Sequence, residues 1–410
     1  MDTAQEADAY PFPLACPFTQ PPELARRRKE APVAPVTLPG NASAWLVTRF
    51  DDVRTVLTDE RFSRSPVRQN AVREQRRAEP ASGPGQFDFG AGLADPAAHA
   101  RWRSRLGSVL TPQHAESLRP RIGQIVDETL DEMAVRPDRT AEFVSDFAYR
   151  VPVRVLAGLF DLTPRLSDRL QGWATRLRGA APSTAAFGEA MRSLYEVAAE
   201  LVARERAEPG PGLIGLLLSA DREGREGTGT MTDEELVSTV FLLATAGYES
   251  TAVQFANGLL ALFQHPVELE RLRSGSVSMA AAVEEILRYA QAGTGFAGTT
   301  YTTEEVRLGD VTLPPGATVL ISLDSAGRDE RRTDRPEVFA PSHGAPHHHL
   351  SFGAGGHYCL GASVARVELQ EGFTRLLARF PGLRPSGDPW RTEFTRNLFH
   401  HYPRELRVEW

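Results

Sequence analysis

The densest chemical signal in the sequence is the run Phe352-Gly-Ala-Gly-Gly-His357-Tyr-Cys359-Leu360-Gly361. Glycines allow tight turns and let backbone approach a flat ligand closely. They precede a cysteine, and helical periodicity resumes directly after it. A cysteine at a helix N-terminus has its thiolate favoured by the helix dipole and by open N–H groups. Such a thiolate serves as a nucleophile or as a metal ligand. The only other cysteine is Cys16, so a four-cysteine zinc or iron–sulfur site is excluded. A haem iron needs one such ligand. The competing reading, a structural cysteine behind a turn, fits the ten-residue pattern less well.

Other groupings carry chemistry at helical spacing. Gly247 sits inside an apolar stretch, where it costs about 1 kcal/mol relative to alanine, and Glu249, Ser250 and Thr251 follow it. A glycine and a carboxylate within an apolar helix break the local rule, and such breaks concentrate at functional sites. A helix kink with a buried, hydrogen-bonded acid is the alternative. His99 and Arg103, four apart, share one helical face and suit an anionic partner. Glu285 and Arg288, three apart, also share a face. His343 and His347 to His349 have the residue type for zinc, although a histidine-rich surface loop accounts for them more simply.

The elements that must position these groups follow from periodicity and punctuation. The segment 44–48 reads as a strand and Asp51 to Leu57 as a helix. Residues 65–95 form a long loop. Residues 96–205 are mostly helical, with breaks expected at Pro112, Pro120, Pro152 and Pro164. The strongest helix runs from Asp233 to Gln264, opened by a Thr232/Glu235 capping box and closed by Pro266. At ~1.5 Å per residue it is about 48 Å long, enough to cross a domain. Helix returns from Met279 to Tyr289. Short strands follow to about Leu323, and a last helix runs from near Leu360 to Phe380.

The 410 residues are 41% hydrophobic and 24% charged, an ordinary globular composition. A mainly disordered chain, a collagen-like repeat and a disulfide scaffold are excluded. Forty-six basic against 53 acidic residues leave a net charge of −7, which argues against nucleic acid or an anionic membrane as partner. No unbroken apolar run reaches the roughly 18 residues a membrane span requires. The N-terminus lacks the pattern of a secretory signal. Two cysteines fit a reducing, cytoplasmic compartment.

Taken together, the motifs resemble those of the cytochrome P450 family, in its bacterial, soluble class. Phe352 to Gly361 matches the haem-ligand loop F-G-x-G-x-H-x-C-x-G at all six fixed positions. Glu285-Ile-Leu-Arg288 resembles the E-x-x-R helix, Ala246 to Thr251 the oxygen-binding helix, and Asp95 to Arg103 the haem-propionate helix. Order and spacing agree over nearly the whole chain. The resemblance implies a mainly α fold with a smaller β region, the α+β cytochrome P450 fold, with haem between a long buried central helix and the cysteine-ligand helix. It implies one domain over 1–410, with its β-rich part mostly in 30–65 and 290–325 and lid segments in 65–95 and 165–230. Haem b would be bound through Cys359. It assigns Ala246, Gly247, Phe352, Gly353, His357, Leu360, Gly361 and Ala365 to the haem site, with His99, Arg103 and His349 on its propionates. Glu249, Ser250 and Thr251 would move protons. The Glu285–Arg288 pair would be structural.

Two positions depart from the family pattern. Serine stands at 250 where threonine is usual, keeping the hydroxyl but losing the methyl that fixes its rotamer. Thr300 stands where the family commonly has an arginine facing a propionate. The implied activity is monooxygenation of an apolar small molecule, aromatic ones included, in secondary metabolism, using dioxygen and two external electrons. Ferredoxin and its reductase would supply the electrons, with Arg101 and Arg105 meeting an acidic partner. A monomer is expected, with no membrane or nucleic-acid partner. Oxidative coupling of aromatic substrates on the same haem is the alternative outcome, and a non-catalytic haem sensor a remoter one. A zinc hydrolase built on His357 and Cys359 is the weakest rival. Leu242, Phe296 and Phe399 are expected to line the substrate pocket, with Phe87 and Phe89 in a lid.

Overall fold

In the computed structural model the described residues are 8–13, 18–64, 96–178, 185–222, 230–293, 299–341, 349–395 and 400–410. In chain order the helices are α1 (Pro22–Glu30), α2 (Phe50–Thr58), α3 (Pro96–Val109), α4 (Pro112–Ala134), α5 (Arg150–Leu159), α6 (Pro164–Leu177) and α7 (Ala185–Ala207). They continue as α8 (Leu213–Arg222), α9 (Asp233–Gln264), α10 (Pro266–Arg273), α11 (Met279–Tyr289), α12 (Leu323–Gly327) and α13 (Ala362–Arg379). Helix therefore dominates, with a smaller strand content.

The chain divides into two compact units. The first comprises Met1–Phe87, Asn257–Cys359 and Asp388–Arg404. Its six-stranded sheet has the order β1 (Asp8–Ala9), β2 (Val33–Thr37), β3 (Ser43–Val47), β9 (Thr318–Ile321), β6 (Thr300–Thr302) and β4 (Phe62–Ser63). The β1/β2 and β3/β9 pairs are parallel and the others antiparallel. Alternate side chains of a strand face opposite sides, and here both sides are apolar. Val33, Val47, Val319 and Ile321 join one cluster with Phe50, Leu57 and Leu350. Val36, Ala44, Leu46 and Leu320 join another with Tyr10, Phe12 and Leu24. A hairpin of β7 (Val306–Leu308) and β8 (Val311–Leu313) adds to the first cluster.

The second unit comprises Asp88–Ala256, Leu360–Gly387 and Glu405–Trp410. It holds α3 to α8, α13, most of α9 and a three-stranded antiparallel sheet of β5 (Thr140–Glu142), β11 (Arg407–Glu409) and β10 (Arg384–Pro385). α13 lies against α4, where Arg119 reaches Glu371 at 2.9 Å and Gln370 at 3.0 Å. It also lies against α9: a Cβ on Gly372 would fall 2.3 Å from the Phe255 ring, so glycine sets that approach.

α9 forms over the limits its sequence predicts. Glu235 N–H donates to Thr232 Oγ1 at 3.1 Å, and Thr232 N–H donates to Glu235 Oε2 at 2.8 Å, completing the capping box. Every residue from Thr251 to Gln264 is buried. By length and hydropathy α9 would suffice to cross a bilayer, but this packing accounts for its apolar character within the protein. Two expected breaks do not occur. Pro112 and Pro164 open α4 and α6, whereas Pro120 lies inside α4 and Pro152 inside α5. Pro152 falls in the first turn, where an N–H has no intrahelical partner in any case. Pro120 removes one bond from a helix held by Ile122, Ile125, Val126, Leu130 and Met133, all buried.

Glu368 of α13 is buried, and its Oε1 finds no partner among the described residues. Burial pushes its pKa up from 4.5 to about 8. Between those values the unfolded chain releases the proton while the folded chain retains it. The contribution of Glu368 to stability is therefore fully present below pH 4.5 and is lost as pH rises towards about 8. Glu368→Gln, which cannot ionise, is expected to remove this part of the pH dependence, on the order of a few kcal/mol over the window. Urea titrations of both proteins on either side of the window measure it, and identical slopes would exclude Glu368 as the cause.

Candidate functional site

The cysteine loop belongs to the first unit, and its shape comes from glycine. Gly353 and Gly355 adopt φ +72° and +65°, the left-handed region that glycine enters without a Cβ penalty. At Gly355 a Cβ would also sit 2.6 Å from the Leu57 carbonyl oxygen at the end of α2. Only glycine lets the loop lie that close. The chain makes one 3-10 turn, Gly355–His357, and Cys359 N–H donates to Phe352 O at 2.9 Å. That bond closes the loop on itself and leaves the Cys359 side chain exposed. α13 begins three residues later, with Gly361 as its N-cap. Phe352, Gly353 and His357 are thus brought together with Cys359, and Leu360, Gly361 and Ala365 lead into or lie on α13.

α11 anchors the chain leading to this loop. The Glu285–Arg288 pair is bidentate, at 2.7 and 2.8 Å, and the side chains are 1% and 2% exposed. Arg288 also donates to the carbonyls of Gly327 at 2.9 Å, Pro336 at 2.8 Å and Val338 at 3.0 Å. Glu285 Oε1 accepts from Ala340 N–H at 2.8 Å. The pair is a buried structural clamp, as the family resemblance implies, and not the solvated surface pair that three-residue spacing usually gives. Ser351 Oγ adds a bond to Leu287 O at 2.7 Å.

His349, expected beside a propionate, has its ring positioned by α11 and by the loop's own backbone. Its Nε2 lies 3.0 Å from Glu284 Oε2, its Nδ1 accepts from Ser351 N–H at 3.2 Å, and its side chain is 3% exposed. Both ring nitrogens are therefore committed to α11 and to the loop's own backbone. The sequence reading missed Glu284 because it stands 65 positions away, with only its place beside Glu285 as a signal. Thr300 also lacks what an arginine there would provide: it is buried on β6, and its Oγ1 has no hydrogen-bond partner among the described residues.

The second unit carries the remaining predicted groups. On α9, Leu242, Gly247, Glu249 and Ser250 are half-buried and Ala246 is exposed. This side of the helix is open, unlike the closed stretch from Thr251 onward. A Cβ on Gly247 would meet Leu156 Cδ2 at 3.6 Å, an ordinary contact, so protein packing does not require glycine there. Ser250 Oγ donates to Ala246 O at 2.6 Å. With its single proton so engaged, the hydroxyl oxygen is oriented to accept. Thr251 is buried one position on.

His99 and Arg103 are half-buried on α3, one turn apart. His99 stacks on Trp102 with ring centroids 6.0 Å apart, and Trp102 Nε1 donates to Thr239 Oγ1 of α9 at 2.8 Å. Trp102 thereby fixes the helix that presents the two basic groups. Arg101 is exposed and Arg105 half-buried. Phe87, Phe89, Phe296, Phe399, Cys16, His343, His347 and His348 lie outside the described residues. Among the described residues no three His, Cys, Asp or Glu side chains gather into a metal site.

Residues 278–408 match the family model described as cytochrome P450. The chain is 35% identical over 412 residues to mycinamicin IV hydroxylase/epoxidase of Micromonospora griseorubida, covering 100% of both chains. It is also 35% identical to nocardicin C N-oxygenase of Nocardia uniformis subsp. tsuyamanensis, again over 100% of both. Among solved structures it resembles the mixed-function P450 MycG, with a TM-score of 0.88, 34% identity and 99% and 100% of the two chains covered.

Removing one partner of a buried ion pair strands the other, at about 3–5 kcal/mol. Arg288→Ala is expected to lower unfolding free energy by about that amount, because Glu285 and three backbone carbonyls lose their donor together. Chemical denaturation measures it. A loss under about 1 kcal/mol, the range of a solvated pair, would remove the pair from its structural role.

Proposed function

The chain belongs to the cytochrome P450 family, and on that premise we propose that Cys359 is the thiolate ligand of a haem b in a monooxygenase of bacterial secondary metabolism. The observation that carries the assignment is the Cys359 thiol, exposed at the end of a loop that its own N–H closes on Phe352 O. The residues present fit the group. The loop offers one soft ligand ahead of a helix N-terminus, which favours the thiolate. Glycine holds backbone rather than side chain in the turn beside it. The open side of α9 at Leu242 and Ala246, on a helix closed from Thr251 to Gln264, suits a flat apolar ligand.

Cys359 would hold the haem iron, and the bound group would supply one-electron and dioxygen chemistry tuned by the thiolate. The protein's own residues arrange the rest. Gly247 lies next to the exposed Ala246, its Cα facing the Leu156 side chain of α5. The Ser250 hydroxyl donates to Ala246 O, so its oxygen would accept a hydrogen bond from water, and Glu249 one residue earlier would exchange protons with that water. His99 and Arg103 offer donors to the propionates.

The substrate is a small, largely apolar molecule of secondary metabolism. This rests on Leu242 and Ala246 and on relatives named for oxidising mycinamicin IV, nocardicin C and 6-deoxyerythronolide B. Electrons would come from a ferredoxin with its reductase, docked by Arg101 and Arg105, to a monomeric enzyme in the cytoplasm. Insertion of oxygen is favoured over oxidative coupling because these relatives are named as hydroxylases, an epoxidase and an N-oxygenase.

Cys359→Ala is expected to abolish the thiolate-type carbon monoxide spectrum of the reduced protein together with turnover. A normal spectrum in that variant would overturn the assignment. Ser250→Ala is expected to lower product formed per NAD(P)H consumed roughly tenfold or more, the scale of one lost proton-transfer group. An unchanged ratio would take Ser250 out of proton delivery.

A further inference from the structure

Thr300 removes a cation from a position where the family commonly has one, and the neighbouring strand carries an arginine. β4 and β6 pair antiparallel, Phe62 opposite Thr302 and Ser63 opposite Tyr301. Carried one residue further, this register sets Arg64 opposite Thr300. Opposed residues of an antiparallel pair share a face of the sheet, with Cβ atoms ~5 Å apart. Tyr301 O–H donating to Ser63 Oγ at 3.0 Å marks one face. Phe62 marks the other, which is the face of Thr300 and of its β9 neighbour Val319. Phe62 and Val319 belong to the apolar cluster that contains Leu350 and against which Ala354 packs. Arg64 and Thr300 therefore sit at the edge of the sheet face that supports the cysteine loop.

Both are unsatisfied. Arg64 is half-buried, and among the described residues it makes no hydrogen bond or ion pair. Burial shifts its ionisation downward with no carboxylate to oppose the shift. Thr300 is 3% exposed, and its Oγ1 is without a partner among the described residues. A half-buried cation and a buried hydroxyl, side by side and both unpaired, match one anionic ligand with oxygen acceptors.

We propose that Arg64 is the relocated propionate cation of this chain, reaching from β4 to the haem carboxylate that an arginine at position 300 would otherwise hold, with the Thr300 hydroxyl as a second donor. The proposal rests on the assignment of Cys359 as haem ligand. It adds a cofactor-positioning residue that the family motifs do not mark, and it explains how an uncharged residue is accommodated at 300.

The test is haem transfer from the purified holoprotein to excess apomyoglobin, monitored in the Soret band. Arg64→Gln is expected to lose haem roughly tenfold or more faster, the scale of one charge-assisted hydrogen bond. Arg64→Lys should fall between wild type and Arg64→Gln. Reconstitution with haem dimethyl ester, which has no free carboxylate, should erase the difference between wild type and Arg64→Gln. Adding Thr300→Arg to Arg64→Gln should restore retention of ordinary haem. Equal loss rates for wild type and Arg64→Gln would overturn the proposal, and so would equal acceleration with the ester, which would mark Arg64 as a fold-stabilising residue. If Arg64→Gln keeps a thiolate-type carbon monoxide spectrum with unchanged haem retention, the Cys359 assignment stands and the Arg64 role falls. A wild-type chain that takes up no haem overturns both.

Discussion

One buried guanidinium organises the approach to the cysteine loop. Arg288 lies within α11, and its donors reach Glu285 and three backbone carbonyls between Gly327 and Val338. That stretch contains no strand and little helix, so its backbone groups have few partners of their own. Burying them costs free energy unless something bonds them. α11 also holds the next stretch of chain: Glu285 takes Ala340 N–H, Glu284 takes the His349 ring, and Leu287 O takes the Ser351 hydroxyl. α11 is thus a template that holds Gly327, Pro336, Val338 and Ala340 on one side of the sequence and His349 and Ser351 on the other. The loop that begins at Phe352 inherits its position from that contact series.

This dependence explains why a charged pair is kept where an apolar pair would pack. Two desolvated charges rarely gain stability over well-packed hydrophobic residues. An apolar pair, however, could not bond four separate backbone groups. The pair's value lies in its direction, because each donor fixes one carbonyl at one place. A loop that must hold a single sulfur in a fixed position needs such directional anchoring more than it needs extra hydrophobic burial.

The sequence was informative wherever the deciding interactions are local. The capping box of α9, the face shared by Glu285 and Arg288, and the glycines before Cys359 all lie within ten residues, and each forms as its spacing implies. Pro120 and Pro152 misled because a proline's cost depends on where in the helix it falls and on what the helix packs against. The Glu284 partner of His349 gave no local signal because it lies 65 positions upstream. Arg64 gave no signal, since its relation to Thr300 exists only through strand register. Register depends on the pairing of β4 with β6, between segments more than 200 residues apart, and no local pattern encodes it.

Within α9 the duties of folding and chemistry are separated along one helix. From Thr251 to Gln264 every residue is buried, and Phe255 lies against Gly372 with no room for a Cβ. A volume change there meets close-packed neighbours and is felt directly. From Leu242 to Ser250 the helix keeps an open side, and its most irregular residues, Gly247 and Glu249, fall in that stretch. Replacing Leu242 or Ala246 alters what the open side presents without touching the packed turns beyond. The same backbone can therefore be stiff enough to fix Ser250 Oγ on Ala246 O and still tolerate change where a substrate would touch. That division requires the capped N-terminus at Thr232 and the packed C-terminal turns to hold the helix between them, because the open turns contribute least to its stability.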